Sequence, residues 1–173
     1  MPGPTFLPGD GIDLHTVEEP DLEFLQEIIN DPRVWRWLFT ATPKRMADEE
    51  KWYESLNDDS ETHLLVCDDG DAVGIVGLSA IDPSWGIAEL GYFIDPDVHG
   101  QGYATEAVEL LVDYAFDQRR LAKLYANVLA GNEGSWRVLE KNGFTEEGRF
   151  REQAFVDGDR VDVVRYGLLA DDR

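Results

Sequence analysis

Residues Glu89-Leu90-Gly91-Tyr92-Phe93-Ile94 and, after a short turn, Val98-His99-Gly100-Gln101-Gly102-Tyr103-Ala104-Thr105-Glu106-Ala107 decide how this chain folds. The first segment has the composition of a strand, and the second that of a glycine turn that opens a helix. Gly100 and Gly102 lack a Cβ, so their backbone N–H groups can approach an anion closely. The helix adds its unpaired N-terminal N–H donors and the positive end of its dipole. The pattern predicts a pyrophosphate site made of backbone; a plain tight turn between strand and helix is the alternative.

Two commoner phosphate-binding motifs are excluded by spacing. A Walker A loop requires Gly-x-x-x-x-Gly-Lys-Ser/Thr, and no lysine occurs between Lys51 and Lys123. A dinucleotide-binding fingerprint that starts at Gly100 requires Gly or Ala at position 105, where this chain has Thr105. The Gly-x-Gly-x-Ala pattern at 100–104 is what remains.

Length and composition predict an ordinary globular protein. A chain of 173 residues can bury a sizeable core as a single domain, which we expect to span residues 1–173. The lone cysteine, Cys67, has no disulfide partner, and His15, His63 and His99 lack partners at metal-ligand spacing, so we expect no metal. The chain has no apolar run long enough for a bilayer and no signal-peptide pattern at its start. We therefore expect a cytoplasmic protein that does not bind membranes.

The charge of the chain is strongly negative. Its 36 Asp and Glu residues outnumber 15 Lys and Arg residues, for a net charge of -21. Nucleic acid is an unfavourable partner, because a binder must neutralise phosphates. The acidity has two explanations: a cationic substrate, or a solvating surface suited to the cytoplasm of a high-salt-adapted organism. We favour the halophilic explanation, because a substrate site needs only a few carboxylates.

Hydrophobic periodicity and turn residues predict a mixed α/β architecture of seven strands and four helices. The order is strand, two helices, three strands, helix, strand, helix and two strands. We place the strands at 11–18, 63–67, 72–81, 87–94, 124–129, 150–156 and 161–168, and the helices at 20–30, 46–57, directly after the glycine turn, and at 134–142.

Two helices carry particularly clear signals. In the helix after the glycine turn, Glu106 and three other acidic residues take the face opposite an apolar stripe that we expect to pack on the sheet. In the last helix, Gly143 is placed to form a left-handed cap, across which Leu139 should touch Phe144. The members of the apolar stripe are Ala104, Ala107, Val108, Leu111, Val112 and Ala115.

Taken in order, these motifs resemble the GNAT N-acetyltransferases, and within them the RimJ/RimL branch. The resemblance covers about residues 10–169 and implies acetyl-CoA as donor and a primary amine as acceptor. It also implies the GNAT fold, a mixed, mostly antiparallel seven-stranded sheet flanked by about four helices. The motifs are the strand 89–94, Asp95-Pro96, His99-Gly100-Gln101-Gly102-Tyr103-Ala104, Asn132-x-x-Ser135 and Glu140-Lys141-Asn142-Gly143-Phe144.

The resemblance implies a role for each of these segments in binding acetyl-CoA. The pantetheine arm would pair with backbone groups of the strand, and Asn132 would hold it from the other side; a plain helix N-cap is the other reading of Asn132. The family has Gln or Arg where this chain has His99, whose backbone N–H can serve the phosphate. Its ring either contacts the cofactor or, as we favour, is that of a lone exposed histidine. The pantetheine residues are Tyr92, Phe93 and Ile94, and the pyrophosphate residues are His99, Gly100, Gln101, Gly102, Tyr103, Ala104 and Thr105.

Two residues are candidates for catalysis. Glu89 matches a position where other GNAT branches carry a carboxylate that takes the amine proton, and an ordinary strand carboxylate is the alternative. Many GNAT enzymes have a tyrosine where this chain has Leu139, so that acid is missing here. In the RimJ/RimL branch, the serine that corresponds to Ser135 is the proposed donor to the departing thiolate, and a capping or packing serine is the alternative.

The acceptor remains open between three hypotheses. We favour the N-terminal α-amine of a protein or peptide, whose pKa of about 7.7 to 8 leaves less work for a base than that of lysine, about 10.4. A small amine (polyamine, aminoglycoside or amino acid) is the second, and a non-catalytic module that binds acyl-CoA is the third. The sequence also leaves the oligomeric state open, with a homodimer as one option. The expected acceptor-pocket residues, each of which also suits a core, are Trp35, Trp37, Trp52 and Phe155.

Overall fold

The computed structural model describes residues 2–57 and 59–173, which form an eight-stranded sheet with helices on both faces. The strands lie in the order β1-β2-β3-β4-β5-β6-β8-β7, and every neighbouring pair is antiparallel except β5 and β6. The strands are β1 (Thr5–Pro8), β2 (Asp13–Thr16), β3 (Thr62–Asp68), β4 (Asp71–Asp82), β5 (Ile87–Ile94), β6 (Lys123–Leu129), β7 (Thr145–Val156) and β8 (Asp159–Leu169). The helices are α1 (Leu22–Ile29), α2 (Pro32–Trp35), α3 (Met46–Ser55), α4 (Tyr103–Asp117) and α5 (Glu133–Lys141).

The predicted architecture is confirmed, with one strand and one short helix more than expected. β1 has only four residues and ends in a proline, so it shows no usable alternation. α2 is a single turn that Pro32 opens and the Asp31 side chain caps, by accepting the N–H of Arg33 at 2.7 Å. β7 begins five residues earlier than predicted. The sequence did not show this start, because most side chains of β7 are exposed and two register shifts interrupt its pairing with β8.

The sheet is buried on both faces. In β3, Leu64 and Val66 belong to one apolar cluster, and Leu65 and Cys67 belong to the other. α4 and α5 cover the first cluster, whereas α1 and α3 pack near the second. The predicted apolar stripe of α4 is confirmed, since all its members are buried except Ala104, which is half-buried. Each large aliphatic side chain buried in this way contributes about 1.5–3 kcal/mol.

Glu106 in the first turns of α4 does not lie on an open face as expected. Its side chain is half-buried, and Oε1 accepts the backbone N–H groups of Asp10 at 2.7 Å, Gly11 at 2.7 Å and Ile12 at 3.3 Å. The turn between β1 and β2 lies over the start of α4, so the carboxylate satisfies donors that would otherwise need water. Glu106 thereby ties the N-terminal hairpin to α4.

The end of α5 has the expected left-handed cap. Gly143 has a φ of 85°, the N–H of Phe144 donates to Leu139 O at 3.1 Å, and the N–H of Gly143 donates to Glu140 O at 3.0 Å. These two bonds form a Schellman motif, which calls for apolar residues at Leu139 and Phe144. Both side chains are buried in the same cluster. The cap fixes the direction in which the chain leaves α5 for β7.

The parallel pair β5 and β6 separates along its length. Backbone pairing joins Ile87 with Lys123, Ala88 with Leu124 and Glu89 with Tyr125, and then stops. β5 continues its pairing with β4 as far as Ile94, and β6 continues its pairing with β8 as far as Leu129. The sheet therefore opens in a V after Glu89, and polar backbone groups of both strands face the gap.

Candidate active site

A cleft of about 720 Å³ occupies the gap between β5 and β6. Its walls come from both strands, from the glycine turn with the first turn of α4, from the start of α5, and from the segment around α2. Glu89 and Ser135 both line it. Every expected cofactor residue lines it as well: Tyr92, Phe93, Ile94, His99, Gly100, Gln101, Gly102, Tyr103, Ala104, Thr105 and Asn132.

The glycine turn has the geometry of an anion cradle. Gly100 has a φ of 84° and Gly102 a φ of 88°, which side-chain-bearing residues rarely adopt. A Cβ added at either position meets no protein atom within 4 Å, so the space beside both glycines is open. Gly102 is the N-cap of α4 and brings no side chain of its own to the helix end. The first N–H groups of α4 therefore remain available to a phosphate.

Two side chains of the cradle make their bonds within the protein. His99 Nε2 donates to Ile94 O at 2.9 Å, which ties the turn to the end of β5. The Tyr103 hydroxyl contacts the carboxylate of Asp68 and lies 3.1 Å from Gln101 Oε1. The hydrogen bond to Asp68 raises the pKa of Tyr103, with smaller contributions from burial and nearby acidic charge. Backbone groups are what this turn offers to an anion.

Glu89 belongs to a chain of three polar side chains. Asn127 Nδ2 on β6 donates to Glu89 Oε1 at 2.8 Å, and Arg165 Nε on β8 donates to Asn127 Oδ1 at 3.1 Å. The guanidinium of Arg165 lies 4.3 Å from the ring centroid of Tyr125 and 5.3 Å from that of Phe150. The chain of bonds holds the carboxylate at the point where β5 and β6 part.

Ser135 lies across the gap from β5 and contacts Tyr92. Its Oγ is 2.9 Å from the Tyr92 hydroxyl, and its carbonyl oxygen accepts that hydroxyl at 3.0 Å. Burial raises the pKa of Tyr92 to about 12, and its bond to Ser135 opposes the shift. Asn132 is the N-cap of α5, and its Oδ1 accepts the N–H of Ser135 at 3.3 Å. The cap reading of Asn132 is confirmed, and its contact with pantetheine stays a prediction.

The four expected acceptor-pocket residues separate in the structure. Trp37 lines the cleft, together with Leu38 and Phe39. Trp35 does not line the cleft; the guanidinium of Arg36 lies over it, 5.8 Å from the centroid of the Trp35 ring. Trp52 packs edge-on against His63 at 5.3 Å in the second core cluster. Phe155 is exposed near the tip of the β7–β8 hairpin, beside Arg160.

Two arginines connect the segment around α2 to its surroundings. Arg33 lines the cleft and pairs with Asp31 at 2.7 Å and with Asp97, just before the glycine turn, at 2.6 Å. Its hydrogen bonds lower the pKa of Asp31. Arg36 Nε lies 3.7 Å from Asp157 Oδ1 at the tip of the β7–β8 hairpin. The aromatic segment and the hairpin tip therefore face each other.

Sequence reasoning missed Asn127, Arg165 and the side chain of Tyr92. Asn127 gave little signal, since a polar residue that alternates with apolar ones such as Ala126 and Val128 is ordinary in a strand. Arg165 and the Tyr92–Ser135 contact gave none, because their partners are 38 and 43 residues away in the chain. Among the residues that the structure describes, no three His, Cys, Asp or Glu side chains form a metal site, and no helix could cross a membrane.

Comparison with known proteins agrees with this geometry. The family model for the acetyltransferase (GNAT) domain matches residues 12–145. The chain belongs to the GNAT acetyltransferase family. It is an acetyl-CoA-dependent N-acetyltransferase, and the open glycine cradle and the cleft between the parted strands suit that co-substrate. The non-catalytic hypothesis is therefore set aside.

Relatives of this GNAT chain have different acceptors in their names. YdaF of Bacillus subtilis, provisionally named a ribosomal N-acetyltransferase, is 33% identical over 166 residues, which cover 91% of each chain. Spermidine N(1)-acetyltransferase of Escherichia coli K12 is 30% identical over 155 residues, which cover 89% of this chain and 83% of that one. The crystal structure of spermidine N-acetyltransferase from Vibrio cholerae with CoA and spermine has a TM-score of 0.89 at 27% identity, covering 95% of this chain and 98% of that one.

Proposed function

We propose that this GNAT enzyme is of the RimJ/RimL type and acetylates the N-terminal α-amine of a protein or peptide. The observation that carries the proposal is the charge of the cleft. Although the chain has 36 acidic residues, Glu89 is the one acidic residue among the described residues that line the cleft. Arg33, Arg137 and Lys141 line it as well. A single α-amine needs one carboxylate, whereas a polyamine with several positive charges needs more.

The shape of the acceptor end also supports an extended substrate. Trp37 and Phe39 are 43% and 60% exposed, so their apolar surfaces are open to a bound chain. The Arg36–Asp157 pair brings the tip of the β7–β8 hairpin opposite this segment. Two walls joined at one point suit the end of a peptide, which can enter along the groove between them.

The proposed reaction uses two side chains of the cleft, those of Glu89 and Ser135. Acetyl-CoA supplies a thioester when it is bound. Glu89 accepts the proton of the attacking amine, directly or through a water molecule, while a C–N bond forms and the C–S bond breaks. Ser135 presents its hydroxyl towards the sulfur, which leaves with the electron pair. Alignment of amine and thioester supplies several kcal/mol more of the barrier reduction.

A small amine is the second candidate, and the relatives named for spermidine support it. Competition separates the two. The enzyme is given acetyl-CoA with equal concentrations of a short Ala-starting peptide, spermidine and free lysine, and mass spectrometry locates the acetyl group. We expect the peptide α-amine to be acetylated first. Preference for spermidine or lysine rejects the peptide acceptor, and Glu89→Gln, as a control, should slow every acceptor that reacts.

A further inference from the structure

The hydroxyl of Tyr92 is placed to control the hydroxyl of Ser135. Tyr92 belongs to the part of β5 that β6 no longer accompanies, so its side chain can reach the first turn of α5 on the other side of the gap. There it lies 2.9 Å from Ser135 Oγ and 3.0 Å from Ser135 O. Both residues line the cleft. In the described part of the chain, Tyr92 is the one residue whose side chain forms a hydrogen bond with the Ser135 hydroxyl.

Counting hydrogens gives two arrangements of this contact. Each hydroxyl carries one hydrogen and can accept others. In the first arrangement Tyr92 donates to the Ser135 carbonyl and Ser135 donates to Tyr92, so the serine hydrogen is already used in a bond to Tyr92. In the second, Tyr92 donates to Ser135 Oγ, and the serine hydrogen is free to point into the cleft. The heavy atoms need not move between the two, since only hydroxyl hydrogens rotate.

We propose that Tyr92 is a positioning residue for acetyl transfer, which turns the Ser135 hydrogen towards the departing sulfur by donating its own hydrogen to Ser135 Oγ. The inference rests on the proposed function, in which Ser135 faces the sulfur. The C–N bond forms, the C–S bond breaks with its electron pair on sulfur, and Glu89 holds the amine proton. Neither hydroxyl loses its hydrogen, so the step balances without a further acid.

The environment of Tyr92 suits donation. Because burial raises its pKa to about 12, the phenol keeps its hydrogen at any pH at which the enzyme is assayed. Two hydrogen bonds in series also strengthen each other, since a hydroxyl that accepts a hydrogen bond becomes a better donor. Ser135 with Tyr92 behind it is therefore a better donor to sulfur than an isolated serine.

Three variants test the proposal: Tyr92→Phe, Ser135→Ala and the double variant. Tyr92→Phe keeps the ring and removes the hydroxyl, and we expect it to lower kcat about fivefold to tenfold with little change in KM for acetyl-CoA. Ser135→Ala should lower kcat by a similar factor. The double variant should be no slower than Ser135→Ala alone, because Tyr92 acts through Ser135. Tyr114→Phe is the control, since that ring packs edge-on against Phe6 at 5.4 Å, away from the cleft.

Other outcomes overturn the proposal. Multiplied losses in the double variant would show that the residues act independently, and a fully active Tyr92→Phe enzyme would show that the hydroxyl is not used. A slow Tyr92→Phe enzyme beside an unaffected Ser135→Ala enzyme would make Tyr92 itself the donor. Failure of the proposed function looks different, because the unmodified enzyme would then bind CoA in calorimetry without acetylating the peptide.

Discussion

Asn127 holds Glu89 through a single hydrogen bond of 2.8 Å between Nδ2 and Oε1, across the two strands that part at the cleft. Arg165 determines which way the Asn127 amide faces. A guanidinium only donates and a carboxylate only accepts, so the amide must turn its oxygen to Arg165 and its nitrogen to Glu89. Glu89 Oε2 takes no part in this chain of hydrogen bonds.

Changes at Asn127 should therefore affect catalysis more than binding of the donor. We expect Asn127→Asp to lower kcat more than Asn127→Ala does, because it places a second carboxylate where Glu89 accepted a hydrogen bond. A loss of about tenfold for Ala and more for Asp is the expected range. Steady-state kinetics and calorimetry with CoA measure the two effects separately. If both variants kept the kcat of the unmodified enzyme, this bond would have no part in the mechanism.

Gly102→Val should abolish binding of CoA. The substitution strains a backbone with a φ of 88° and places a side chain in the open space beside the cradle. Gly158→Val is the matched control, because Gly158 has a φ of 93° with equally open surroundings but lies at the tip of the β7–β8 hairpin. Calorimetry should show lost affinity for the first variant alone, with similar losses of melting temperature for both. His99→Ala should bind CoA nearly as well as the unmodified chain.

Arg36→Ser should weaken binding of a peptide acceptor without affecting spermidine. The change breaks the pair with Asp157, which joins the two walls of the groove. Both side chains are at least half exposed, so we expect only about a threefold rise in KM for the peptide. Arg160→Ser removes the same charge from the hairpin without breaking the pair and serves as control. Equal effects of the two variants would assign the change to charge alone.

The melting temperature should rise when KCl increases from 0.1 to 1 M. The net charge of -21 repels itself in the compact state, and the Debye length falls from about 10 Å to about 3 Å over this range. Exposed ion pairs such as Arg137–Glu133, at 3.1 Å, weaken in parallel, but such pairs contribute little. Sucrose of equal osmolality is the control. An unchanged melting temperature would count against adaptation to high salt.

Glu49→Gln should stabilise the protein at neutral pH. Glu49 on α3 is 6% exposed, and burial raises its pKa above the ordinary value, helped by Asp48 and opposed by Lys44. A carboxyl whose pKa is higher in the folded state than in the unfolded state takes up protons on folding. The stability of the protein therefore falls as pH rises through the interval between the unfolded-state and folded-state pKa values. The variant should gain melting temperature at pH 7 and little at about pH 3, where both states are protonated. Glu50→Gln, at an exposed neighbour, should change little at either pH.

Local patterns predicted the parts of the fold that local forces determine. The stripe of α4 and the cap at Gly143 depend on residues within a few positions of each other, and both were predicted correctly. β1 and the beginning of β7 are mostly exposed, so their residues carry no alternation of apolar and polar side chains that could have predicted a strand.

The site divides in the same way. The cradle at 99–105 is contiguous in sequence and could be recognised there. The contacts of Glu89 with Asn127 and of Tyr92 with Ser135 join residues on different elements, and only the folded chain brings them together. Of the four aromatic candidates, Trp37 alone lines the cleft. The sequence could not separate them, because a large aromatic residue suits the wall of a pocket and a hydrophobic core equally well.

The carboxylate of Glu106 affects the electrostatic potential at the start of α4, where the diphosphate of CoA would bind. A negative charge near the start of α4 would compete with a diphosphate for the positive end of the helix. Three amides from residues 10–12 surround Oε1 instead and screen that charge. The N-terminal hairpin thus keeps the helix attractive to anions, and shortening the chain past Ile12 should weaken affinity for CoA although no residue of the hairpin lines the cleft.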